Sequence, residues 1–375
     1  MNIAFVLDDS LDKTDGVQQY ITTLGHWFGA HGHEIHYLVG HTERTDLPRV
    51  HSLSRNVQVH FNQNRMSTPL PARTKDIKAL MAREEFDVLH VQMPYSPFLA
   101  AKVIKNAPQG TAIVGTFHIL PSTRLESTAT RALAVWLRRS RKKFDRIVSV
   151  SEPAAKFARK KFKVKSEVLP NAVDVSHFQA GKKIRKYDNG KLTIVYLGRL
   201  VERKGCMHLL HAVNLLNEQN VLLMVRVIIA GKGPLEAKLK KYVDDHRLGK
   251  VVQFTGYVPE SEKPNLLASA DIAVFPSTGG ESFGIVLVEA MAAGAGVVIA
   301  GNNRGYRSIM GERPDQIVKV QDTKQFAKTL KHFIVNANAR KRAKKWQTTK
   351  VMNYDVKSVG KQLLKIYKEA LADKV

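Results

Sequence analysis

Short apolar runs alternate with longer amphipathic segments along most of this chain. The runs are bounded by polar residues, and the stretches between them place apolar residues at helical spacing. This alternation predicts parallel β-sheets that are covered by helices on both faces. The predicted strands of the first half are Ile3 to Leu7, Glu34 to Val39, Val57 to Phe61, Phe86 to Val91, Ala112 to Phe117 and Arg146 to Val150.

The same pattern starts again in the second half, after a segment without periodicity at residues 176–190. The predicted strands there are Leu192 to Leu197, Val225 to Ala230, Val251 to Phe254, Ile272 to Phe275 and Val297 to Ala300. The predicted helices are Met207 to Asn217, Pro234 to Asp245, Pro259 to Ala268, Ile285 to Ala293, Lys324 to Asn336 and Val356 to Ala372.

We therefore predict an α/β protein with two doubly wound, Rossmann-like domains, because 375 residues can form two cores of ordinary size. The predicted boundaries are an N-terminal domain at 1–175, a linker at 176–190, a second domain at 191–350 and a C-terminal helix at 351–375. Ligands of such domains bind at the carboxyl ends of the strands, so we expect the domains to face each other across a deep cleft.

The charge and cysteine content narrow the class of protein. Lysine and arginine total 59 against 33 acidic residues, a formal net charge of +26, which indicates an anionic partner such as nucleic acid, anionic lipid or a phosphorylated substrate. The single cysteine, Cys206, excludes an intramolecular disulfide and fits a reducing compartment. With no apolar run long enough to span a bilayer and no leader pattern, we expect a cytoplasmic protein at or near the membrane surface.

The most informative stretch runs from Thr278 to Met291, where a glycine-rich turn joins a predicted strand to a predicted helix. Unpaired backbone amides at such a turn, together with the helix dipole, favour a phosphate group. The amides concerned are those of Phe283, Gly284 and Ile285. Two carboxylates, Glu281 and Glu289, flank the turn and can accept hydrogen bonds from hydroxyl groups. Phosphate and hydroxyls together predict a sugar nucleotide.

Other candidate residues follow predicted strands. Gly198 and Arg199, with Lys204 beyond them, could neutralise a departing diphosphate, although basic loop residues are often only solvated. Gly16 precedes the first helix and could let the backbone approach the donor closely, or it could be a plain turn glycine. His118 ends a predicted strand and could contact a bound sugar, or it could be structural.

A strongly basic stretch lies between Arg131 and Lys165, with thirteen lysines or arginines and two acidic residues. Within it, an apolar stripe that includes Trp136 and Phe144 accompanies a cluster of cations, as in helices that lie on anionic bilayers. The cations proposed to contact the membrane are Arg138, Arg139, Arg141 and Lys142. The alternative is a surface helix whose apolar stripe faces the core and whose basic face is solvated.

These motifs carry a resemblance to a known family. The segment from Gly280 to Gly294, with Gly198-Arg199 and Lys204-Gly205, resembles the retaining glycosyltransferases of family 4, which have the two-domain GT-B fold. The resemblance covers nearly the whole chain and is greatest to the branch of bacterial phosphatidyl-myo-inositol mannosyltransferases. The segments similar to that branch are Asp15 to Gln18, Phe86 to His90, Thr116 to His118, Val150 to Glu152 and Pro170 to Asp174.

The resemblance implies a role for each donor-side residue. Arg199 and Lys204 would hold the diphosphate, with Gly16 and the amides after Glu281 closing on it. Glu281 would bind hydroxyls of the transferred sugar, Glu289 the ribose, and His118 the sugar near its 6-position. The leaving diphosphate would assist the incoming hydroxyl on the same face, so configuration is retained without a protein nucleophile, a catalytic metal or a tightly bound cofactor. The C-terminal helix would cross back to the N-terminal domain.

The resemblance also implies the substrates and the location. They are mannose from GDP-mannose and a phospholipid headgroup such as phosphatidylinositol, at the cytoplasmic face of the membrane. The acceptor-side candidates are Asp9, which stands where the branch carries an aromatic residue, Asp12 and Gln18.

Two alternatives stay open. The first keeps the fold but uses UDP-glucose or another donor with a diacylglycerol-type lipid or a soluble sugar as acceptor. The second is a polyanion-binding protein without catalysis. Against it, the basic stretch carries no nucleic-acid recognition motif, so we expect no specific nucleic-acid partner.

Overall fold

The computed structural model describes residues 1–13, 15–61, 64–69, 72–94, 96, 98–118 and 142–374. The chain forms two compact units. Unit 1 comprises Met1–Ala172 and Val356–Val375, and unit 2 comprises Val173–Asp355. Each unit is built on a parallel β-sheet with helices on both faces, so the predicted α/β class with two Rossmann-like domains is confirmed.

The sheet of unit 1 has seven parallel strands in the order β3-β2-β1-β6-β7-β8-β9. Its strands are β1 (Asn2–Val6), β2 (Glu34–Val39), β3 (Val50–Ser52), β6 (Val88–Gln92), β7 (Ala112–Phe117), β8 (Arg146–Ser149) and β9 (Glu167–Val168). The central strands are buried on both faces, which explains why they are continuous apolar runs.

One predicted strand was placed in the wrong sheet. The run from Val57 to Phe61 belongs to β4 (Asn56–Phe61), which pairs antiparallel with β5 (Asn64–Pro69) in a separate two-stranded sheet. Two strands joined by so short a connection can pair only as a hairpin, because a parallel crossover needs a dozen or more residues. The sequence analysis assigned this strand to the parallel sheet because it is an apolar run like the others.

Two layers of helices cover the sheet of unit 1. One face packs against α1 (Gly16–Ala30) and the C-terminal helix α13 (Val356–Ala372). The other face packs against α2 (Thr74–Glu84) and α3 (Leu99–Asn106), and α4 (Glu152–Phe157) follows β8. The predicted return of the last helix to the first domain is confirmed, because the Tyr367 hydroxyl donates to or accepts from His90 Nδ1 at 2.6 Å.

The sheet of unit 2 has six parallel strands in the order β12-β11-β10-β13-β14-β15. Its strands are β10 (Leu192–Leu197), β11 (Val225–Ala230), β12 (Val252–Gly256), β13 (Ile272–Phe275), β14 (Val297–Gly301) and β15 (Ile317–Val318). Its helices are α5 (Val175–Gln179), α6 (Cys206–Glu218), α7 (Glu236–Asp245), α8 (Lys263–Ala268), α9 (Ile285–Ala292), α10 (Arg304–Met310), α11 (Thr323–Val335) and α12 (Ala337–Lys350).

The segment predicted as a linker, 176–190, lies within unit 2 and is bonded to it. Its residues complete α5 and form a short 3-10 helix at Arg185–Tyr187. The backbone amides of Lys182 and Ile184 donate to Asn265 Oδ1 and Ser269 Oγ, both at 2.8 Å. Hydrogen bonds to the backbone, rather than apolar side chains, attach this segment to unit 2. Such bonds leave no apolar periodicity in the sequence, so the segment was predicted to be a linker.

The strand orders locate the edges where ligands bind in doubly wound sheets. The order reverses between β1 and β6 in unit 1 and between β10 and β13 in unit 2. Loops that leave the carboxyl ends of neighbouring strands diverge at such a point and open a crevice. In unit 2 these are the loop after β10, with Arg199 and Lys204, and the loop after β13, with Glu281.

Candidate functional site

The Glu281 carboxylate is the centre of a buried charge cluster in unit 2. Its Oε1 atom lies 2.8 Å from Lys204 Nζ and 2.9 Å from a terminal nitrogen of Arg203. The hydroxyl of Ser277, two residues after the end of β13, donates to the same oxygen at 2.9 Å. The loops after β10 and β13 are thereby joined at the point where the strand order reverses.

The cations keep this carboxylate ionised. Burial by itself would raise the pKa of Glu281, whose side chain is 13% exposed, but the charges of Lys204 and Arg203 outweigh it and hold the pKa below its usual value. A charged carboxylate can only accept hydrogen bonds, which suits it to hydroxyl groups. The same two cations can bind a diphosphate that lies beside the carboxylate.

Arg203 and Ser277 were not identified from the sequence. Arg203 is one of three cations in the loop after β10, with Arg199 and Lys204. Their sequence positions do not show which of them contact Glu281, because this depends on the backbone conformation of the loop. Its turn is a 3-10 helix, Glu202–Lys204, that ends at Gly205 with φ +72°. A Cβ at Gly205 would lie 2.0 Å from the carbonyl oxygen of Pro276, so only glycine permits this approach of the two loops.

The glycine-rich turn enters α9 as predicted, and its geometry depends on Gly284. This residue has φ +113°, and a Cβ there would lie 2.5 Å from the ring of Tyr306. Within the described part of the chain, the amides of Phe283, Gly284 and Ile285 donate no hydrogen bond. These N–H groups at the start of α9 are therefore available to an anion.

The second carboxylate, Glu289, lies inside α9 and is 3% exposed. Its Oε1 atom is 3.9 Å from Nζ of Lys263, which also contacts Glu260 Oε1 at 2.7 Å. Burial would lower the pKa of Lys263, but Glu289 and Glu260 raise it above its usual value, so the ammonium is charged. Lys263 was not predicted, because its segment shows only an ordinary helix start.

Arg199 and Gly198 follow β10 directly. The Tyr196 hydroxyl donates to the Arg199 carbonyl oxygen at 3.0 Å and thereby holds the backbone of this turn. Burial raises the pKa of Tyr196, and Cys206 and Glu281 add to this effect, while Arg203 and Arg199 act in the opposite direction. Arg199 and Glu281 thus both act on one buried hydroxyl. The predicted donor roles of Gly198 and Arg199 stay predictions.

In unit 1, the three acceptor-side candidates hold the loop between β1 and α1 around Ser10. The Asp9 carboxylate accepts from the Ser10 amide at 2.7 Å, and Gln18 Nε2 donates to the Ser10 carbonyl oxygen at 3.0 Å. Asp12 accepts from the Ser10 hydroxyl at 2.5 Å and from the Thr42 hydroxyl at 2.6 Å. These side chains shape the loop in front of Gly16, and their contact with an acceptor stays a prediction.

His118 lies at the carboxyl end of β7, as the pattern predicts, and is 6% exposed. Its Nε2 atom is 2.7 Å from Gln92 Oε1, and Gln92 in turn donates its amide hydrogen to the His90 carbonyl oxygen at 3.2 Å. Because this orients the Gln92 oxygen toward the imidazole, His118 carries its proton on Nε2 and keeps Nδ1 as an acceptor. A sugar hydroxyl could donate to Nδ1.

Burial of His118 and His90 predicts a pH-dependent stability. Desolvation lowers the pKa of each imidazole from 6.5 to about 3 in the folded chain. Since the unfolded state binds more protons below 6.5, stability rises with pH between about 3 and 6.5, by at most about 1.4 kcal/mol per pH unit for each imidazole. Buried Asp8, whose pKa is raised to about 6, acts in the opposite direction between 3.8 and 6.

Thermal unfolding at pH 5 and at pH 7 tests this prediction. We expect His118→Gln to lose less stability on acidification than the unchanged chain, because it lacks one of the two imidazoles that resist protonation. His208→Gln, a change in α6 of unit 2, is the control and should behave as the unchanged chain. An equal loss in all three proteins would show that His118 is protonated in the folded state.

The predicted membrane residues are only partly visible. Arg138, Arg139 and Arg141 lie outside the described residues, and Lys142 is exposed. Among the helices of the described ranges, none combines the length and apolar character that crossing a bilayer requires.

Comparison with known proteins matches both halves of the chain. A family model described as "Glycosyltransferase Family 4" matches residues 14–177, and one described as "Glycosyl transferases group 1" matches residues 178–349. The phosphatidyl-myo-inositol mannosyltransferase of Mycolicibacterium smegmatis is 30% identical over 370 residues, which cover 98% of this chain and 93% of that protein.

Two further proteins extend the comparison. A subunit of the phosphatidylinositol N-acetylglucosaminyltransferase of Saccharomyces cerevisiae is 26% identical over 304 residues, 77% of this chain and 65% of that protein. The crystal structure of Anabaena HepE in complex with UDP aligns with a TM-score of 0.74 at 15% identity, covering 98% of this chain and 100% of that one.

Proposed function

This chain belongs to the family 4 glycosyltransferases of the GT-B fold, and we propose that it transfers mannose from GDP-mannose to the headgroup of phosphatidylinositol. The observation that carries the proposal is the Glu281 carboxylate in contact with Lys204, Arg203 and Ser277. In such a cluster the cations can bind a diphosphate, and the ionised carboxylate can accept hydrogen bonds from the hydroxyls of a sugar attached to it.

The proposed acceptor rests on what two relatives have in common. One is named for mannosyl transfer to phosphatidyl-myo-inositol and the other for N-acetylglucosaminyl transfer to phosphatidylinositol. Their sugars differ and their lipid is the same, so the lipid is the better supported half of the proposal. Mannose follows the relative that is similar over nearly the full length of both chains.

Unit 2 supplies the donor side in this proposal. Arg199 and Lys204 bind the diphosphate, which also accepts from the open amides at the start of α9. Glu281 binds hydroxyls of the sugar, and Glu289 binds the ribose, with Lys263 holding Glu289 in place. An ionised carboxylate near the sugar also favours the positive charge that develops as the glycosidic bond breaks.

Unit 1 supplies the sugar and acceptor contacts. His118 accepts from a sugar hydroxyl through Nδ1, and Gly16 lets the backbone approach the donor. Asp9, Asp12 and Gln18 shape the loop that meets the inositol headgroup. Because Asp12 is exposed and its carboxylate already accepts from Thr42, its contribution is to hold the loop in place.

A substrate panel tests the proposal. The purified chain is incubated with GDP-mannose, UDP-glucose or UDP-N-acetylglucosamine, and with vesicles containing phosphatidylinositol or diacylglycerol, or with free myo-inositol. We expect a mannosylated phosphatidylinositol by mass spectrometry in the GDP-mannose reaction alone. Product from a UDP-sugar would overturn the donor, and product on diacylglycerol or free inositol would overturn the acceptor.

The proposed location is the cytoplasmic face of the membrane, held by the basic stretch around residues 138–142. Each cation near an anionic surface contributes about 1 kcal/mol, so replacing three should weaken vesicle binding roughly 100-fold. The test is co-sedimentation of Arg138→Gln/Arg139→Gln/Lys142→Gln with anionic vesicles. The matched control replaces three exposed cations of α12, Lys341, Arg342 and Lys345, by glutamine. Equal weakening in both variants would mean that net charge alone attracts the chain.

A further inference from the structure

Three polar side chains from different elements of unit 1 meet beside the sheet, away from the residues assigned to transfer. His36 lies in β2, His51 in β3 and Glu84 at the end of α2. Each offers one ligand atom, and these atoms all lie within 4.8 Å of one another. The residues assigned to transfer lie on other segments of the chain, so the cluster needs an explanation of its own.

The two imidazoles face each other directly. Their rings are parallel within 5°, with centroids 5.2 Å apart, and His36 Nδ1 is 2.9 Å from His51 Nε2. Strand pairing sets this geometry, because β3 continues the sheet beside β2 with His51 in register with Leu38, a residue on the same face as His36. One imidazole donates to the other in this arrangement, which requires that at least one of them is neutral.

The other nitrogen of His36 is buried without a hydrogen-bond partner. Nε2 lies 3.7 Å from Glu34 Oε1 and 3.9 Å from Glu84 Oε2, which is too far for a hydrogen bond to either carboxylate. A buried polar nitrogen without a partner is costly unless another group satisfies it. A cation bonded at about 2.0–2.2 Å to both atoms would fit between nitrogen and oxygen at this separation.

We propose that His36, His51 and Glu84 form a binding site for a zinc-class divalent cation, with Glu34 as a further carboxylate ligand. Two imidazoles and carboxylates are a donor set for zinc, whereas magnesium and calcium prefer oxygen ligands alone. The cation satisfies the Nε2 atom of His36, and the half-buried His51 ring exchanges its hydrogen bond to His36 Nδ1 for a bond to the same ion.

The charges around the cluster suit this role. The hydrogen bond between the two rings requires a neutral imidazole, and a neutral imidazole offers a lone pair to a metal. Two arginines compete for the carboxylates. Arg49 lies 2.9 Å from Glu34 and Arg83 lies 2.7 Å from Glu84, but their side chains are 50% and 66% exposed and can turn to solvent.

The site lies beside the middle of the strands rather than at their carboxyl ends. His36 pairs in register with Ala4, the middle residue of β1, whereas the loop with Asp9 and Asp12 leaves the carboxyl end of that strand. The cation would fasten β2, β3 and the end of α2 to one another. Its expected effect is therefore on the stability of unit 1, and the proposal stands independently of which sugar or acceptor the enzyme uses.

Zinc binding to the full chain, prepared without a histidine tag, tests the proposal. Titration against a chromogenic chelator should give one bound Zn²⁺ per chain, with Mg²⁺ and Ca²⁺ failing to displace it. His51→Gln and Glu84→Gln should each weaken binding by more than the roughly 10–100-fold cost of losing an outer-shell partner. His208→Gln, which removes an imidazole from unit 2, should bind as the unchanged chain.

Thermal unfolding separates the role of the metal from a folding defect. Zn²⁺ should raise the melting temperature of the unchanged chain and of His208→Gln, and should leave that of Glu84→Gln unmoved, because a ligand stabilises only a state that binds it. Glu84 is partly exposed, so this variant tests the site even if His51→Gln folds poorly. Equal zinc affinity in Glu84→Gln and in the unchanged chain, or no bound Zn²⁺ at all, would overturn the proposal.

Discussion

Glu281→Gln is expected to lower the rate of glycosyl transfer by between about tenfold and about 150-fold. A hydrogen bond to a charged group contributes about 1.5–3 kcal/mol, and each 1.4 kcal/mol is a factor of ten in rate. The amide keeps the shape of the side chain and removes its charge. The measurement is kcat and KM for transfer from GDP-mannose.

The same change should alter stability in a way that a ligand reverses. Lys204 and Arg203, with side chains 20% and 12% exposed, lose the anion that they share. Leaving a fully buried partner unpaired costs about 3–5 kcal/mol, which is an upper limit here because both cations reach some solvent. A bound diphosphate restores an anion, so GDP should raise the melting temperature of Glu281→Gln more than that of the unchanged chain.

The control for this experiment is Glu236→Gln. Glu236 is a carboxylate of α7 in the same unit, and its Oε1 atom accepts from Lys240 Nζ at 2.8 Å, one turn along the same helix. Its replacement should leave both transfer and the GDP-induced stabilisation as they are in the unchanged chain. Transfer by Glu281→Gln at the rate of this control would remove Glu281 from the sugar site.

The central strands of both sheets were predictable because the apolar character of a buried strand is visible in consecutive residues of the sequence. β2, β7, β10 and β11 begin and end where the sequence predicted, since a strand buried on both faces is a nearly continuous apolar run. The family and the GT-B fold were also predicted, from the glycine-rich turn and its two carboxylates, and both are confirmed.

Helix α12 shows why other elements were missed. It buries only small or polar side chains, with Ala339 and Ala343 against the core and Gln347 hydrogen-bonded to the backbone of Val298 and Ala295. Its surface carries the basic run that begins at Arg340. A helix that packs through alanines and one amide shows no stripe of large apolar residues. The sequence analysis therefore identified the basic run but did not predict the helix.

For the candidate site, the sequence predicted where the side chains lie along the chain but not which of them contact one another. Strand ends marked Glu281, Lys204 and His118, because ligands bind at the carboxyl edge of such sheets. That Arg203 shares Glu281 with Lys204, and that Gln92 sets the tautomer of His118, depends on loops from distant parts of the chain. Sequence spacing does not encode those contacts.

Gly284→Ala is expected to weaken GDP binding by about tenfold or more and to destabilise unit 2. The backbone at φ +113° is one that alanine rarely adopts, at a cost on the order of 1–3 kcal/mol, and the new Cβ would lie 2.5 Å from Tyr306. The turn must shift to relieve this contact, and the shift moves the amides that we propose hold the diphosphate. Losing one such charge-assisted hydrogen bond costs about 1.5–3 kcal/mol.

Gly279→Ala is the matched control, because it adds the same methyl group to the same loop. A Cβ at Gly279 meets nothing within 4 Å, and the residue does not have the left-handed backbone of Gly284. Isothermal titration with GDP should therefore give the affinity of the unchanged chain for Gly279→Ala and a weaker one for Gly284→Ala. Equal affinities, despite a lower melting temperature for Gly284→Ala, would mean that the diphosphate is held by the cations alone, without the amides of α9.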